Sequence, residues 1–107
     1  MVPIVIIMTT SNFHSNITVL ITYFNEFDLL KRCLESINKQ SILPQKVIVY
    51  DDNSTKKLFS SDLPNYGFPL EIINAEENKG PAYGRNYLMQ KCNTKYFRFQ
   101  DADDELF

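Results

Sequence analysis

From Ile17 onward, apolar positions along this chain gather into four short runs, and the period between the runs switches from two to about 3.6. Ile17-Thr18-Val19-Leu20-Ile21-Thr22-Tyr23 is nearly continuous and rich in β-branched residues. Such a run suits a strand buried on both faces of a parallel sheet. Phe27, Leu30, Leu34 and Ile37 then recur at helical spacing, with Lys31, Arg32, Glu35 and Lys39 on the other side. They predict a helix capped by Asn25 or Asp28 that ends ahead of Pro44. Lys46-Val47-Ile48-Val49-Tyr50 reads as a second buried strand, stopped by Asp51-Asp52-Asn53-Ser54. A short helix or turn through Lys57 and Phe59 follows it. Ser60 to Pro69 reads as loop, and Leu70-Glu71-Ile72-Ile73-Asn74 as a third strand. Beyond the polar stretch Glu76-Glu77-Asn78-Lys79-Gly80, Pro81 is suited to open a helix that runs to about Cys92. Gly84 inside that helix costs roughly 1 kcal/mol relative to alanine. Its use is close approach to a strand or a ligand. Lys95 to Gln100 is the fourth strand, and Phe97 and Phe99 are assigned to the core.

Strands alternating with helices predict βαβ units, an α/β class and a mostly parallel sheet flanked by helices. The folded unit is placed at residues 17–107. Residues 1–16 form an N-terminal extension, either an extra strand or disordered. In open sheets of this kind, ligands bind beyond the carboxyl ends of the strands. Three polar clusters fall at such ends: Thr22 to Glu26, Asp51 to Ser54, and Asp101 to Glu105. Their convergence on one rim is the functional signal.

Composition narrows the chemistry. A chain of 107 residues is one small domain or a piece of a larger one. The formal net charge of −2 argues against nucleic acid as a partner, which needs a clustered basic face. Cys33 and Cys92 lack metal or redox spacing, and His14 is the single histidine, so nucleophilic Cys/His or Ser/His chemistry has little support. The apolar stretch Met1 to Met8 is too short to span a bilayer and lacks the flanks of a secretory signal, which makes the cytoplasm the expected location. Neither glycine-rich phosphate cradle is present. Asp101, Asp103 and Asp104 offer another way to hold phosphates. Hard cations such as Mn²⁺ or Mg²⁺ take carboxylate oxygens and bridge to substrate phosphates.

Four segments in order carry a resemblance: Val19-Leu20-Ile21-Thr22-Tyr23-Phe24-Asn25-Glu26, Val47-Ile48-Val49-Tyr50-Asp51-Asp52-Asn53-Ser54, Glu77-Asn78-Lys79-Gly80-Pro81-Ala82-Tyr83-Gly84-Arg85-Asn86, and Phe99-Gln100-Asp101-Ala102-Asp103-Asp104. Together they resemble the nucleotide-sugar-binding half of the family 2 glycosyltransferases. The resemblance implies a Rossmann-like GT-A fold, α/β/α in layers, over about Ile17 to Phe107. It implies that Thr22, Tyr23 and Phe24 line a base pocket, with Asn25 beside them and an aromatic ring stacked on the base. Asp52 would accept from a uracil N–H, with Asp51 the less favoured partner. Arg85 would face the diphosphate. Asp101 would serve ribose and metal, and Asp103 and Asp104 the metal. The implied cofactor is Mn²⁺ or Mg²⁺ and the implied donor a UDP-sugar. The implied acceptor is a glycan or lipid-linked saccharide, reached at the inner face of the membrane by peripheral association. The implied outcome is inversion. No residue is identified as the catalytic base, and the chain has no Trp for the Gln-x-x-Arg-Trp motif of processive synthases. The expectation for this chain alone is donor binding with little or no transfer, and self-association through an exposed half-fold surface. Two other readings stay open: a non-catalytic nucleotide-binding or interaction module, and a receiver-like phospho-acceptor domain. Against the latter, the acid pair ends the second strand rather than the first.

Overall fold

The computed structural model describes residues 13–101. Nine elements follow in order: β1 (Phe13–His14), β2 (Ile17–Tyr23), α1 (Phe27–Asn38), β3 (Ile42–Leu43), β4 (Lys46–Asp51), a 3₁₀ turn (Ser60–Asp62), β5 (Leu70–Asn74), α2 (Pro81–Lys91) and β6 (Tyr96–Asp101). Four strands form a wholly parallel sheet in the order β5-β4-β2-β6. β1 and β3 pair separately, also in parallel.

The continuous apolar runs become the central strands. Val19, Leu20 and Ile21 of β2 and Val47, Ile48 and Val49 of β4 are all buried. Neighbouring residues on a strand point to opposite faces, and two cores result. Val19, Ile21, Tyr23, Val47 and Val49 pack with Leu30, Cys33, Leu34 and Ile37 of α1. Leu20, Ile48 and Tyr50 pack with Leu88 of α2. The helices therefore cover opposite faces, and the molecule has three layers, α/β/α. Among the described residues, no helix is long and apolar enough to cross a membrane.

β2 pairs with β4 on one side and β6 on the other, although β6 is reached only after β5 and α2. The chain thus reverses its direction of travel across the sheet at β2. The carboxyl ends of the strands flanking such a reversal leave a crevice.

Three expectations change. Neither Asn25 nor Asp28 caps α1; Glu26 takes the N-cap position without a side-chain hydrogen bond. The stretch through Lys57 and Phe59 is irregular, and the helical turn comes later, at Ser60–Asp62. Asp62 accepts from the Phe59 N–H at 3.0 Å and so fixes the turn there. Phe97 and Phe99 are not core: they are 46% and 36% exposed, because β6 is an edge strand of the described sheet. Asp103 and Asp104 lie outside the described residues.

Candidate functional site

A cleft of about 400 Å³ opens at the carboxyl ends of the strands. β2 supplies Thr22 and Tyr23 to it and continues into Phe24 and Glu26; β4 supplies Tyr50 and continues into Asp52. Gly80, Pro81 and Arg85 come from the start of α2, and Asp101 ends β6. The volume is within the range of small-ligand sites.

Two adjacent carboxylates have opposite duties here. Asp51 is 1% exposed. One of its oxygens accepts the Ser54 N–H at 2.9 Å and the Ser54 hydroxyl at 2.6 Å. The other accepts the Leu58 N–H at 3.0 Å and the Asn74 amide at 3.4 Å. A carboxylate has about four acceptor sites, so Asp51 is committed to holding the loop after β4. This corrects its assignment to the nucleotide site. Asp52 lines the cleft. Its two oxygens accept the backbone N–H groups of Lys79 and Gly80, each at 2.9 Å. Among the described residues, two acceptor positions are left over by the same count. These bonds anchor the loop ahead of α2, where Gly80 adopts φ +86°, a conformation open to glycine at little cost. They also set a negative charge against the positive end of the α2 macrodipole.

Phe24 is 47% exposed and presents an uncovered aromatic ring at the cleft. Arg85 reaches across to Asp101, with Nη2 3.4 Å from Oδ1. Their side chains are 41% and 57% exposed, so the pair is weak and easily exchanged. Tyr50 is buried beneath the cleft, 5.4 Å from the Tyr87 ring and 6.5 Å from the Tyr83 ring. Burial first, then the nearby Asp52 charge, pushes the Tyr50 hydroxyl above its ordinary pKa, so it is a neutral wall at physiological pH.

Thr22, Tyr23, Phe24, Asp52, Arg85 and Asp101 thus meet in one cleft, as the strand-end rule anticipated. Asn25 does not: it lines a neighbouring cavity of about 420 Å³ with Tyr23, Phe27, Lys56, Lys57, Leu58 and Asp62. Sequence reasoning gave Tyr50, Gly80 and Pro81 no role in the site, and it placed Glu26 there only as part of a strand-end polar cluster. Tyr50 had a signal, because it closes the apolar run Lys46 to Tyr50 directly ahead of the acid pair. As for a divalent ion, Asp101 is an exposed oxygen donor at a strand end and fits a hard cation. No cluster of three metal-binding side chains occurs among the described residues.

Residues 18–107 match the model of the family "Glycosyl transferase family 2". The chain belongs to this family. It is 37% identical over 95 residues to the teichoic acid poly(glycerol phosphate) polymerase of Staphylococcus epidermidis, covering 86% of this chain and 13% of that protein. It is 28% identical over 99 residues to the glycosyltransferase YibD of Escherichia coli, covering 90% of this chain and 28% of that protein. The chain therefore spans a minor part of the length of these relatives. Among solved structures, S. aureus TarS 1-349 superposes with a TM-score of 0.72 at 26% identity, over 83% of this chain and 28% of that one. The Pyrobaculum calidifontis mannosyltransferase PcManGT, solved with GDP-Man and Mn²⁺, superposes with a TM-score of 0.65 over 85% of this chain and 28% of that one. At 22% identity the latter bears on fold alone. The family 2 chain has the mostly parallel, helix-flanked sheet of the GT-A nucleotide-binding half.

Proposed function

We propose that this chain is the donor-binding half of a metal-assisted glycosyltransferase that takes a UDP-sugar. The observation that carries the reading is the single cleft that gathers Phe24, Asp52, Arg85 and Asp101 from four separate segments. An exposed ring suits a nucleobase face. Base stacking on aromatic side chains is worth about 1–3 kcal/mol in single-strand binders. The outer acceptor positions of Asp52 suit an imide N–H, which uracil has and cytosine lacks. Arg85 suits phosphate oxygens, which it can grip through two N–H groups.

The Arg85–Asp101 pair gives the cleft a way to respond to its ligand. A nucleoside diphosphate would draw Arg85 to phosphate. Asp101, together with Asp103 and Asp104, would hold a Mn²⁺ or Mg²⁺ ion. When bound, that ion supplies neutralisation of the diphosphate leaving group. The attacking group would be a hydroxyl of a glycan or lipid-linked saccharide, and the anomeric carbon would invert. The setting proposed is the cytoplasm, at the inner face of the membrane.

Calorimetric titration of UDP tests the reading, run with Mn²⁺ and again with EDTA. Binding should depend on the metal, and Asp103→Asn should remove that dependence. Phe24→Ala should weaken UDP by about tenfold, within the range that stacking allows. GDP and CDP should bind more weakly than UDP. Silence from all three nucleotides would overturn the proposal.

A further inference from the structure

Phe24 is unusual in being an exposed aromatic residue between two residues that are tied down. On its amino-terminal side, the Tyr23 carbonyl accepts the Asp52 N–H at 2.9 Å. On its carboxyl-terminal side, Asn25 makes two bonds to the loop after β4. Its backbone N–H donates to the Ser54 hydroxyl oxygen at 2.9 Å. Its side-chain oxygen accepts the Thr55 N–H at 2.8 Å. Ser54 is itself fixed, through the two bonds to the buried Asp51 carboxylate. A chain of hydrogen bonds thus runs from the core of the sheet to the residue next to the ring.

The geometry requires an unusual backbone. Asn25 has φ +60°, a left-handed conformation in which asparagine is several-fold enriched. At that angle its N–H and its side-chain oxygen both reach the same loop. Asn53, in that loop, is the other non-glycine residue with positive φ among the described residues, at +61°. Two left-handed asparagines therefore shape the two turns that meet through Asn25, Ser54 and Thr55. Asn25 itself lines the neighbouring cavity and not the cleft.

We infer that Asn25 is a positioning residue: it clamps the β2–α1 turn to the loop after β4 and so presents the Phe24 ring to the nucleobase. The inference rests on the nucleotide reading above. The benefit is preorganisation. An exposed ring on a loose turn loses conformational freedom when a base stacks on it, and a clamped one has already lost most of it.

Three substitutions separate the clamp from mere fold stability. Asn25→Gly accepts the positive φ and keeps the N–H to Ser54 but loses the acceptor for Thr55. Asn25→Asp keeps the acceptor and tolerates the backbone. Phe24→Ala removes the ring. Asn25→Gly should weaken UDP about threefold to tenfold, the range of one lost hydrogen bond. Asn25→Asp should stay within about twofold of the parent, well inside that range. In the Phe24→Ala background, Asn25→Gly should cost less than about twofold, because the residue it positions is gone. Additive losses would overturn the inference. A second readout needs no nucleotide. The amide order parameter of Phe24 should be about 0.85 in the parent and Asn25→Asp, and fall towards about 0.6 in Asn25→Gly. Unchanged order at Phe24 in Asn25→Gly overturns the clamp whatever UDP does. UDP silence with the parent protein overturns the nucleotide reading and leaves the order parameters to decide the clamp.

Discussion

Tyr66 stacks on Phe68 with ring centroids 5.2 Å apart and planes 2° apart, and its hydroxyl is buried without a hydrogen-bond partner among the described residues. Burial is the main cause that pushes its pKa up to about 12, with the charges of Glu35 and Cys33 adding to it. The unfolded chain has a tyrosine near its ordinary value of about 10. The folded state therefore holds this proton more tightly than the unfolded state does. The associated stability is whole below about pH 10 and is lost as pH rises through the folded value. Tyr66→Phe removes a hydroxyl that has no partner to lose. It should leave stability at pH 7 unchanged or raise it by up to about 1 kcal/mol. It should also flatten part of the fall above pH 10. Tyr23 and Tyr50 are raised by burial as well, so the difference between variant and parent isolates Tyr66. Urea unfolding at pH 7 and pH 10.5 measures both effects. A loss above about 1 kcal/mol at pH 7 would mean that the hydroxyl is bonded after all.

At the scale of elements, α2 meets the sheet through Gly84. A Cβ there would lie 3.0 Å from Thr22 Cγ2 and 3.0 Å from Tyr50 Cδ1. Tyr50 is 3% exposed and wedged beside Tyr83 and Tyr87, so it has little room to yield. Alanine gains about 1 kcal/mol in helix propensity. Overpacking costs about 1–3 kcal/mol. Gly84→Ala should therefore destabilise by about 1 kcal/mol net and displace Arg85, weakening UDP; a gain in urea stability would show that α2 rides outward freely. The sequence announced this helix and its close approach, and it announced the central strands for a related reason. β2 and β4 are buried on both faces, so their apolar runs are unbroken. What stayed hidden was not local. Phe97 and Phe99 look like core residues, but their exposure depends on strand order, which no window of sequence contains. β1 and β3 are two residues each, too short for any period to register. The Asp51–Asp52 pair was half legible. Asp51 shares strand parity with Val47 and Val49, which face α1, while Asp52 follows the last strand residue and lies at the cleft.

For the whole molecule, the outer edge of β6 is one of the two edges of the described sheet. β6 pairs with β2 on one side and with no other strand among the described residues. Tyr96 is 55% exposed, and the Phe97 and Phe99 rings meet edge to face, with centroids 5.4 Å apart, on the face of the sheet that α2 covers only in part. Unpaired backbone groups beside exposed aromatic rings are a template for pairing with another chain. Concentration-dependent self-association should follow, seen by light scattering as a mass above the 12.5 kDa of one chain. Phe97→Lys places a charge on that edge and should shift the protein towards monomer. Phe97 pairs with Thr18, at the opposite end of β2 from the cleft residues Thr22 and Tyr23, so UDP binding should survive the change. A monomer for the parent at millimolar concentration would refute association. Association that persists unchanged in Phe97→Lys would place the contact elsewhere, and the strand-end cleft would become the next surface to test, because UDP would then compete with the second copy.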